Sequence, residues 1–569
     1  MPKLPRRAFL GRVGGIAATT LAAGVVGVPS LFTSTLASDH RGGMTASETR
    51  SRRQEAYRRR QTVALGHRNA PLPSFPTNGD ETRYSNRIAS FTKGLPHDEK
   101  GEVDPSAYTA LLNALTTGQA TAFEAIPLGG KVKFANPQAA YAFVFEGPDP
   151  HQFTLNAPPA FSSAETASEM IELYWQALTR DVPFSEYETH ELTNAAATDL
   201  ATCSDFHGPR AGGAVTPATL FRGLTPGDVV GPYLSQFLWL DVPHGNMILT
   251  QRGRVSVAAD DYMTTFPEWL HIQRGLLPQR SSVADSTIRG ESLELLQIVG
   301  LPARINVLDS TPRYIRNTRD LGEYVHQDFS YQAFLHAALI LLGRQLPFKE
   351  ANPYTRLVTQ GGFITFGAPH LLDLVARVAN AALMAAWCHK WLVHRRLRPE
   401  EFAGRVHQHM GKAAQYPIHT ELMNSTALNA VARATGSSLL PMAYPEGCPT
   451  HPAYPAGHAA IAGACTTVLK AFFKETAILP DPMIVGPDGF SLLPYKGPDL
   501  SVGGEMNKLA SNIALGRDAA GVHWRSDSFA GLQLGEAVAI GILTDLRTTY
   551  HEEFRGFSLT KFDGKTITI

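Results

Sequence analysis

Cysteine is scarce in this chain, with only 4 among 569 residues. Cys203, Cys388, Cys448 and Cys465 are widely separated, and none belongs to a Cys-x-x-Cys pair. This spacing excludes a zinc site built on cysteine pairs and a dense disulfide framework, while one or two disulfides stay open. The chain therefore needs a hydrophobic core for its stability.

An excess of charge of either sign is also missing, because Lys+Arg 51 equals Asp+Glu 51. We therefore expect no nucleic-acid partner, and any binding of an anion must depend on local groups. Long uninterrupted apolar runs are lacking beyond the N-terminus. The best candidate, 370–388, contains Asp373 and Arg377 and predicts a buried or amphipathic helix, so we expect no membrane association of the mature form.

The N-terminus has the features of an export leader. Arg6-Arg7 precedes a weakly apolar stretch rich in Gly and Ala, and Thr35-Leu36-Ala37 offers small residues suited to cleavage. Residues 1–37 resemble a twin-arginine signal peptide. This resemblance implies a protein that folds before it crosses the membrane and is then periplasmic or secreted.

The remainder reads as three regions: a charged arm with a Pro-rich linker (38–78), an N-terminal helical region (79–320) and a C-terminal helical region (321–569). Alternating patterns typical of strands are few. In the C-terminal region the apolar spacing predicts helices over 320–343, 369–398 and 420–435, and the second of these ends before Pro399.

The stretch Thr450 to Ala460 combines two histidines with helix-start signals. His458 follows Gly457 and precedes a run of small residues, which places it in the first turn of a helix. Free N–H groups and the helix dipole favour an anion there, and a glycine lets it approach the backbone. The alternative is that His451 and His458 are ordinary loop and cap histidines.

Two further stretches carry cations near helix ends. Lys390, His394 and Arg398 are spaced four apart, which predicts one face of the long helix. Arg517 and His523 flank a loop between two predicted helices. Taken alone, these residues could be a solvated basic helix end, a surface arginine and a core histidine.

Taken together, the three stretches describe a pocket for a tetrahedral oxyanion. Arginine offers paired donors, lysine adds a point charge, and Gly457 offers a backbone N–H. One histidine can act as ligand or nucleophile while another transfers protons. Phosphate and vanadate both fit such a pocket.

The combination Lys390…Arg398-Pro399, Tyr454-Pro455-Ala456-Gly457-His458 and Arg517…His523 resembles the three-part signature of vanadium-dependent haloperoxidases and the acid phosphatases related to them. Flanking stretches resemble the bromoperoxidase-type branch, over nearly all of the mature chain. The resemblance implies a mainly α-helical fold, with helical bundles around a vanadate cofactor and few short strands.

The resemblance also implies roles. His523 would bind the metal, while Lys390, Arg398, Arg517 and the backbone of Gly457 would hold the other oxygens. The catalytic residues would be His458 as the acid–base group, Lys390 polarising bound peroxide, and His451 as a nearby hydrogen-bonding or proton-relay partner. Hydrogen peroxide would oxidise bromide or iodide, with chloride as a further candidate, to hypohalous acid. Relatives of this kind form dimers or larger assemblies, which favours a homo-oligomer.

Three positions and two alternatives stay open, and the first position is His389, next to Lys390, which the resemblance places by the halide region. Many relatives have serine before the Gly-His pair, where this chain has Ala456, and Asp527 is either a partner of a basic group or an N-cap. An acid phosphatase that hydrolyses phosphate monoesters is the alternative enzyme, although its Lys-to-Arg spacing is one residue shorter than here. A non-catalytic secreted helical protein with a decayed site is the alternative of another class.

Overall fold

The structure is a computed structural model that describes residues 44–278 and 307–569. The predicted signal peptide, 1–37, lies outside the described residues. The chain divides into a short N-terminal unit up to Arg68 and a large unit, Asn69–Ile569. Within the large unit the predicted boundary between residues 320 and 321 falls inside a helix, and the division into 79–320 and 321–569 stays a prediction.

Helices dominate the described residues. Numbered in chain order, they are α1 Ala46–Asn69, α2 Asp80–Arg83, α3 Pro105–Thr117, α4 Ala120–Glu124, α5 Ala164–Leu178, α6 Glu191–Thr202, α7 Phe266–Gln273, α8 Thr318–Gln327, α9 Gln332–Gly343, α10 Ala368–Cys388, α11 Pro399–Met410, α12 Thr420–Met423, α13 Thr426–Thr435, α14 Gly457–Phe472, α15 Val502–Ala519 and α16 Arg525–Arg547. Short 3₁₀ turns lie at Pro137–Tyr141, Pro150–Gln152, Phe184–Glu186, Gln236–Leu238 and Pro353–Arg356.

The described strands form three antiparallel hairpins of three-residue strands. They pair β1 Val242–His244 with β2 Met247–Leu249, β3 Met483–Val485 with β4 Leu492–Pro494, and β5 Ser558–Thr560 with β6 Thr566–Thr568. Hairpins this small cannot supply a core by themselves. The fold is mainly α-helical, as the sequence predicts.

Helix α14 is the centre of the large unit. Every one of its residues except His458 is buried, and it packs against α10, α15 and α16. Its run of small residues lets neighbouring backbones approach closely. A Cβ at Gly535 of α16 would lie 1.9 Å from the carbonyl oxygen of Ala460, so only glycine fits that crossing. The first turn of α14 is thereby fixed inside the bundle.

The predicted helix 369–398 is wrong in its second part. Helix α10 ends at Cys388 and continues as a π-helical segment, His389–His394, and Arg395 then has a left-handed backbone (φ 38°). Arg398 is extended (φ −84°, ψ 157°) and precedes Pro399, the first residue of α11. The residue before a proline avoids the α conformation, and this preference accounts for the extended backbone of Arg398.

Two other predicted helices are each interrupted once. The helix predicted over 320–343 divides into α8 and α9, and Asp328 at the end of α8 is extended. The helix predicted over 420–435 divides into α12 and α13, where Ser425 is the N-cap of α13 and accepts a bond from the N–H of Leu428. At the second break the Ser425 hydroxyl competes with the helical bonds, while the Asp328 carboxylate at the first break bonds His458 instead.

The four cysteines are all buried and unpaired, so the structure contains none of the disulfides that the sequence left open. Burial raises the pKa of the Cys388 thiol to about 11 and that of Cys203 to about 12. Among the described residues, Ala368–His394 and Arg525–Arg547 are long and apolar enough to cross a membrane. Length and composition alone are weak evidence, since half-buried core helices such as these pass the same test.

Candidate active site

The structure brings the predicted site residues together at the ends of several helices. Lys390 lies in the π-helical segment and Arg398 precedes α11. Gly457 and His458 open α14, Arg517 lies in the last turn of α15, and His523 lies between α15 and α16. We call the group formed by Lys390, Arg398, Gly457, Arg517 and His523 the oxyanion pocket.

Arg398 ties the parts of this pocket to one another. Its Nε donates to the carbonyl oxygen of His451 at 2.9 Å, and its Nη1 donates to the carbonyl oxygen of Val522 at 2.7 Å. The same Nη1 lies 3.0 Å from His523 Nε2, and Nη2 lies 2.9 Å from His451 Nδ1. One fully buried guanidinium thus holds both histidine-bearing loops.

Lys390 is equally buried and is held by backbone oxygens. Its Nζ donates to the carbonyl oxygens of Pro452 at 2.8 Å and Ala453 at 2.7 Å. Burial and the nearby charge of Arg398 hold the pKa of Lys390 well below its usual value. The ammonium charge is therefore costly unless an anion shares the pocket.

The described carboxylates form no ion pair with Lys390, Arg398 or Arg517 within 4.0 Å. Arg517 bonds only neutral groups, with its Nη1 2.9 Å from the carbonyl oxygen of Val325, and its buried Nε has no hydrogen-bond partner among the described residues. Like charges without a counterion are unfavourable in a buried site. The pocket consequently favours an anion.

His523 is held in one tautomer. Its Nδ1 lies 2.9 Å from Asp527 Oδ2, and its Nε2 faces Arg398 Nη1, which can only donate. Nδ1 therefore carries the proton and Nε2 presents a lone pair. Burial and the charges of Arg398 and Lys390 hold the pKa of His523 well below its usual value, which keeps the ring neutral. A neutral imidazole oriented by a carboxylate is the form that binds metals.

Asp527 is the partner of basic groups, and the alternative prediction that it is the N-cap of α16 is wrong. It partners His523, and its Oδ2 also accepts a bond from the N–H of Trp524 at 3.1 Å at the start of α16. It lies inside the first turn, while Trp524 is the N-cap residue. Arg396 donates to its other oxygen at 2.8 Å, so the carboxylate is buried with a cation beside it.

His458 lies at the rim, with 27% of its side chain exposed. Its Nε2 is 3.0 Å from Oδ1 of Asp328, a carboxylate that is only 3% exposed. Sequence reasoning missed Asp328, because the predicted helix 320–343 placed it on an ordinary helical turn. The signal available was a short acidic residue at a helix break, which is not specific enough to identify a partner of His458.

Gly457 provides the first helical N–H of α14, which has no intrahelical partner. A Cβ there would lie 3.2 Å from Leu383 Cδ1 and 3.5 Å from Trp387 Cζ3, so a side chain would crowd the pocket wall. Ala456 is the extended N-cap residue and makes no side-chain cap bond. This end of α14 thus offers backbone donors alone.

His451 belongs to the site and His394 does not. The His451 ring packs 4.6 Å from that of Trp387 and bonds Arg398, while burial and the charges of Arg398 and Lys390 hold its pKa well below its usual value. The prediction that His394 shares a face with Lys390 and Arg398 is wrong. The π-helical segment instead places His394 against Tyr454, with ring centroids 4.8 Å apart.

Comparison with known proteins shows the family of this chain. Residues 370–551 match the model of the VCPO second helical-bundle domain. A vanadium-dependent bromoperoxidase from Corallina pilulifera is 34% identical over 93% of this chain and 100% of its own length. This chain belongs to the vanadium-dependent haloperoxidase family. The family and the peroxidase class predicted from the sequence are thereby confirmed.

Two further members of the haloperoxidase family support the assignment. A vanadium-dependent bromoperoxidase from Ascophyllum nodosum is 34% identical over 84% of this chain and 86% of its own length. The homohexameric structure of a second vanadate-dependent bromoperoxidase from Ascophyllum nodosum superposes with a TM-score of 0.83 at 28% identity, covering 98% of this chain and 95% of that one. The whole large unit thus has the haloperoxidase fold.

Proposed function

We propose that the protein is a vanadate-dependent haloperoxidase that oxidises bromide or iodide with hydrogen peroxide. The reaction consumes one halide ion, one hydrogen peroxide and one proton, and yields hypohalous acid and water. The halide loses two electrons and the O–O bond of peroxide accepts them. The observation that carries the proposal is a buried group of three cations that have no carboxylate partner among the described residues, beside a neutral, oriented histidine.

The residues present fit vanadate. Nε2 of His523 would be the metal ligand, and Lys390, Arg398, Arg517 and the N–H of Gly457 would hold the oxygens. The buried Nε of Arg517 has no hydrogen-bond partner among the described residues, so it is a donor available to a bound oxyanion. When bound, vanadate would supply a Lewis acid that activates hydrogen peroxide without changing its own oxidation state.

His458 is the proposed acid–base group. Asp328 orients the ring through Nε2, and the partial exposure of His458 lets it exchange protons with solvent. Lys390 places a positive charge where negative charge develops on the leaving oxygen, and buried surroundings strengthen that interaction. His451, held by Arg398 and Trp387, is the proposed relay partner.

The deciding experiment compares two activities of the purified protein. Protein stripped of oxyanions and loaded with vanadate should brominate a phenol reporter in the presence of peroxide and bromide, and the phosphate-loaded protein should not. Hydrolysis of a phosphate monoester by the stripped protein, without bromination after loading, would instead identify an acid phosphatase. Neither activity would identify a non-catalytic protein. Parallel assays with iodide and chloride establish the halide range.

A matched pair of variants separates binding from chemistry. His458→Ala should bind vanadate and lose bromination, since the proposed role of His458 is proton transfer. His407→Ala changes a half-buried histidine that stacks on Phe266 and should leave both unchanged. Loss of vanadate binding in His458→Ala would contradict the division of roles.

We also propose a homo-oligomer that is exported by the twin-arginine route. The homohexameric relative supports assembly, and the arginine pair with the small residues near Ala37 supports export. Light scattering of the mature protein tests assembly, with a single-chain mass as the contrary result. Replacing Arg6-Arg7 by Lys-Lys should retain the precursor inside the cell, and unchanged export would contradict the proposed route.

A further inference from the structure

Arg517 is held from one side by a stack of aromatic rings outside the oxyanion pocket. Its guanidinium carbon lies 5.4 Å from the centroid of the Tyr444 ring, and its Nη1 lies 3.4 Å from the Tyr444 hydroxyl. A cation above an aromatic face is attracted to it, and burial strengthens that attraction. Tyr444 is 1% exposed, so water does not compete.

Tyr444 is itself fixed by a second ring. The imidazole of His326 stacks on it with centroids 3.8 Å apart and planes 11° apart. The Tyr444 hydroxyl donates to the carbonyl oxygen of Gly322 at 2.6 Å, which fixes the ring in its own plane. Tyr444 thus has little freedom to rotate or slide beneath Arg517.

His326, which stacks on Tyr444, also lies beside two carboxylates. Its Nε2 lies 2.6 Å from Glu446 Oε1, and its Nδ1 lies 3.7 Å from Glu323 Oε2. Burial lowers the pKa of His326, but the two carboxylates outweigh it and raise the pKa to about 9. At neutral pH the ring is an imidazolium that pairs with both carboxylates. Neither carboxylate forms an ion pair with Arg517 within 4.0 Å.

The last turn of α8 therefore reaches two proposed functional groups. Val325 accepts a hydrogen bond from Arg517 through its carbonyl oxygen, and His326 supports the ring beneath the same guanidinium. Asp328, just beyond the helix, partners His458. With Nη1 used by Val325 and Tyr444, Nε of Arg517 is left as a buried donor for the oxyanion.

We propose that Tyr444 and His326 are positioning residues that fix the guanidinium of Arg517 for oxyanion binding. This inference rests on the proposed function, because it concerns the same pocket. Tyr444 contacts Arg517, and His326 contacts Tyr444. They act by keeping Arg517 in one orientation when the pocket is empty, so that binding need not order it.

The test measures anion affinity and not turnover alone. Dissociation constants for vanadate and for inorganic phosphate are measured by ultrafiltration and elemental analysis on stripped protein. Tyr444→Leu should weaken both by about tenfold, which corresponds to one lost cation–π contact and hydrogen bond. Tyr444→Phe keeps the ring and should stay within about threefold of wild type. His326→Leu removes the supporting ring and should fall between the two.

Tyr187→Leu is the matched control. Tyr187 is also a buried tyrosine, packed against Phe184 and Tyr233 and away from Arg517. It should lower the unfolding midpoint of the stripped protein while leaving both anion affinities unchanged. Equal losses of affinity in Tyr187→Leu and Tyr444→Leu would reduce the stack to a structural role and overturn the inference.

The two hypotheses fail in different ways. Wild-type affinity in Tyr444→Leu and in His326→Leu overturns the positioning role and leaves the haloperoxidase proposal intact. Should Tyr444→Leu not fold, His326→Leu decides by the same measurement, because wild-type affinity in that variant overturns the positioning role. Wild-type protein that binds phosphate without vanadate-dependent bromination overturns the proposed function, and the phosphate affinities of the variants still test the stack.

Discussion

Two buried groups of cations in this protein have opposite surroundings. Arg180 and Arg319 form an arginine–aspartate cluster with Asp181 and Asp261, in which Arg319 lies 2.6 Å from Asp181 and 3.1 Å from Asp261. Arg180 also pairs with Asp261. In the oxyanion pocket, equally buried cations meet carbonyl oxygens and neutral histidines.

The difference separates a structural cluster from a binding site. The carboxylates around Arg319 raise its pKa despite burial, whereas burial lowers the pKa of Arg398 with no ion pair to offset it. A satisfied cluster has no need of a ligand. A buried positive group whose counterions are missing is stabilised only when an anion binds.

The largest expected effect comes from a substitution that breaks the arginine–aspartate cluster. Arg319→Met leaves Asp181 and Asp261 short of a partner and should lower the free energy of unfolding by about 3 to 5 kcal/mol. Chemical denaturation of the stripped protein measures this. Arg517→Met, which removes an unpaired cation, should cost only about 1 kcal/mol for its bond to Val325. Equal losses in the two variants would remove the distinction between the groups.

The next effect concerns His523, the proposed metal ligand. His523→Ala should lower vanadate affinity at least about a hundredfold, since even outer partners of metal ligands contribute ten- to a hundredfold. The fold should stay intact, because the packing of α14 with its neighbours stabilises the helices. Circular dichroism checks the helix content. Vanadium content is measured after ultrafiltration. Unchanged content would count against His523 as the ligand.

A gain is expected at the start of α14. Ala456→Ser introduces a hydroxyl beside the Gly457 N–H, and a hydrogen bond to a charged group is worth about 1.5 to 3 kcal/mol. Vanadate affinity should rise about tenfold or more. The same change at Ala462, buried in the middle of α14, is the control and should not raise affinity. An unaltered dissociation constant in Ala456→Ser would place the oxyanion away from this helix end.

The smallest effect is a coupling to protons. Burial and neighbouring cations hold the pKa values of Lys390 and His451 below their usual values, and a bound anion should raise both. A group whose pKa rises on binding takes up protons, so affinity should fall as pH rises through the shifted range. Calorimetry of phosphate binding in buffers of different ionisation enthalpy measures the uptake. Proton release on binding would contradict the charge analysis.

Local sequence signals predicted one of the two helix starts at the candidate site. Gly457 is the first residue of α14, so His458 lies in the first helical turn as predicted, whereas the start of α11 at Pro399 emerged only from the structure. The notion that Lys390, His394 and Arg398 share a helical face failed, because the π-helical segment changes the spacing of side chains. Lys390 and Arg398 are still near enough for the charge of Arg398 to lower the pKa of Lys390, and a left-handed Arg395 ends the π-helical segment between them.

Apart from Asp527, the partners of the site residues could not be predicted from the sequence. Asp328 lies 130 positions from His458, and the distance between them depends on how α8 and α14 pack. The same holds for the Tyr444 ring beneath Arg517. No residue pattern distinguishes a carboxylate that neutralises a cation from one that lies elsewhere.

The sequence by itself determined the family and the helical fold and named the proposed donors of the oxyanion pocket, because motif residues and helix-end signals are local properties of the chain. Only the tertiary structure decided which cations lack a counterion, which tautomer His523 adopts and which residues hold Arg517. Those properties depend on burial and on distances between residues far apart in the chain, and electrostatic free energy is set by both.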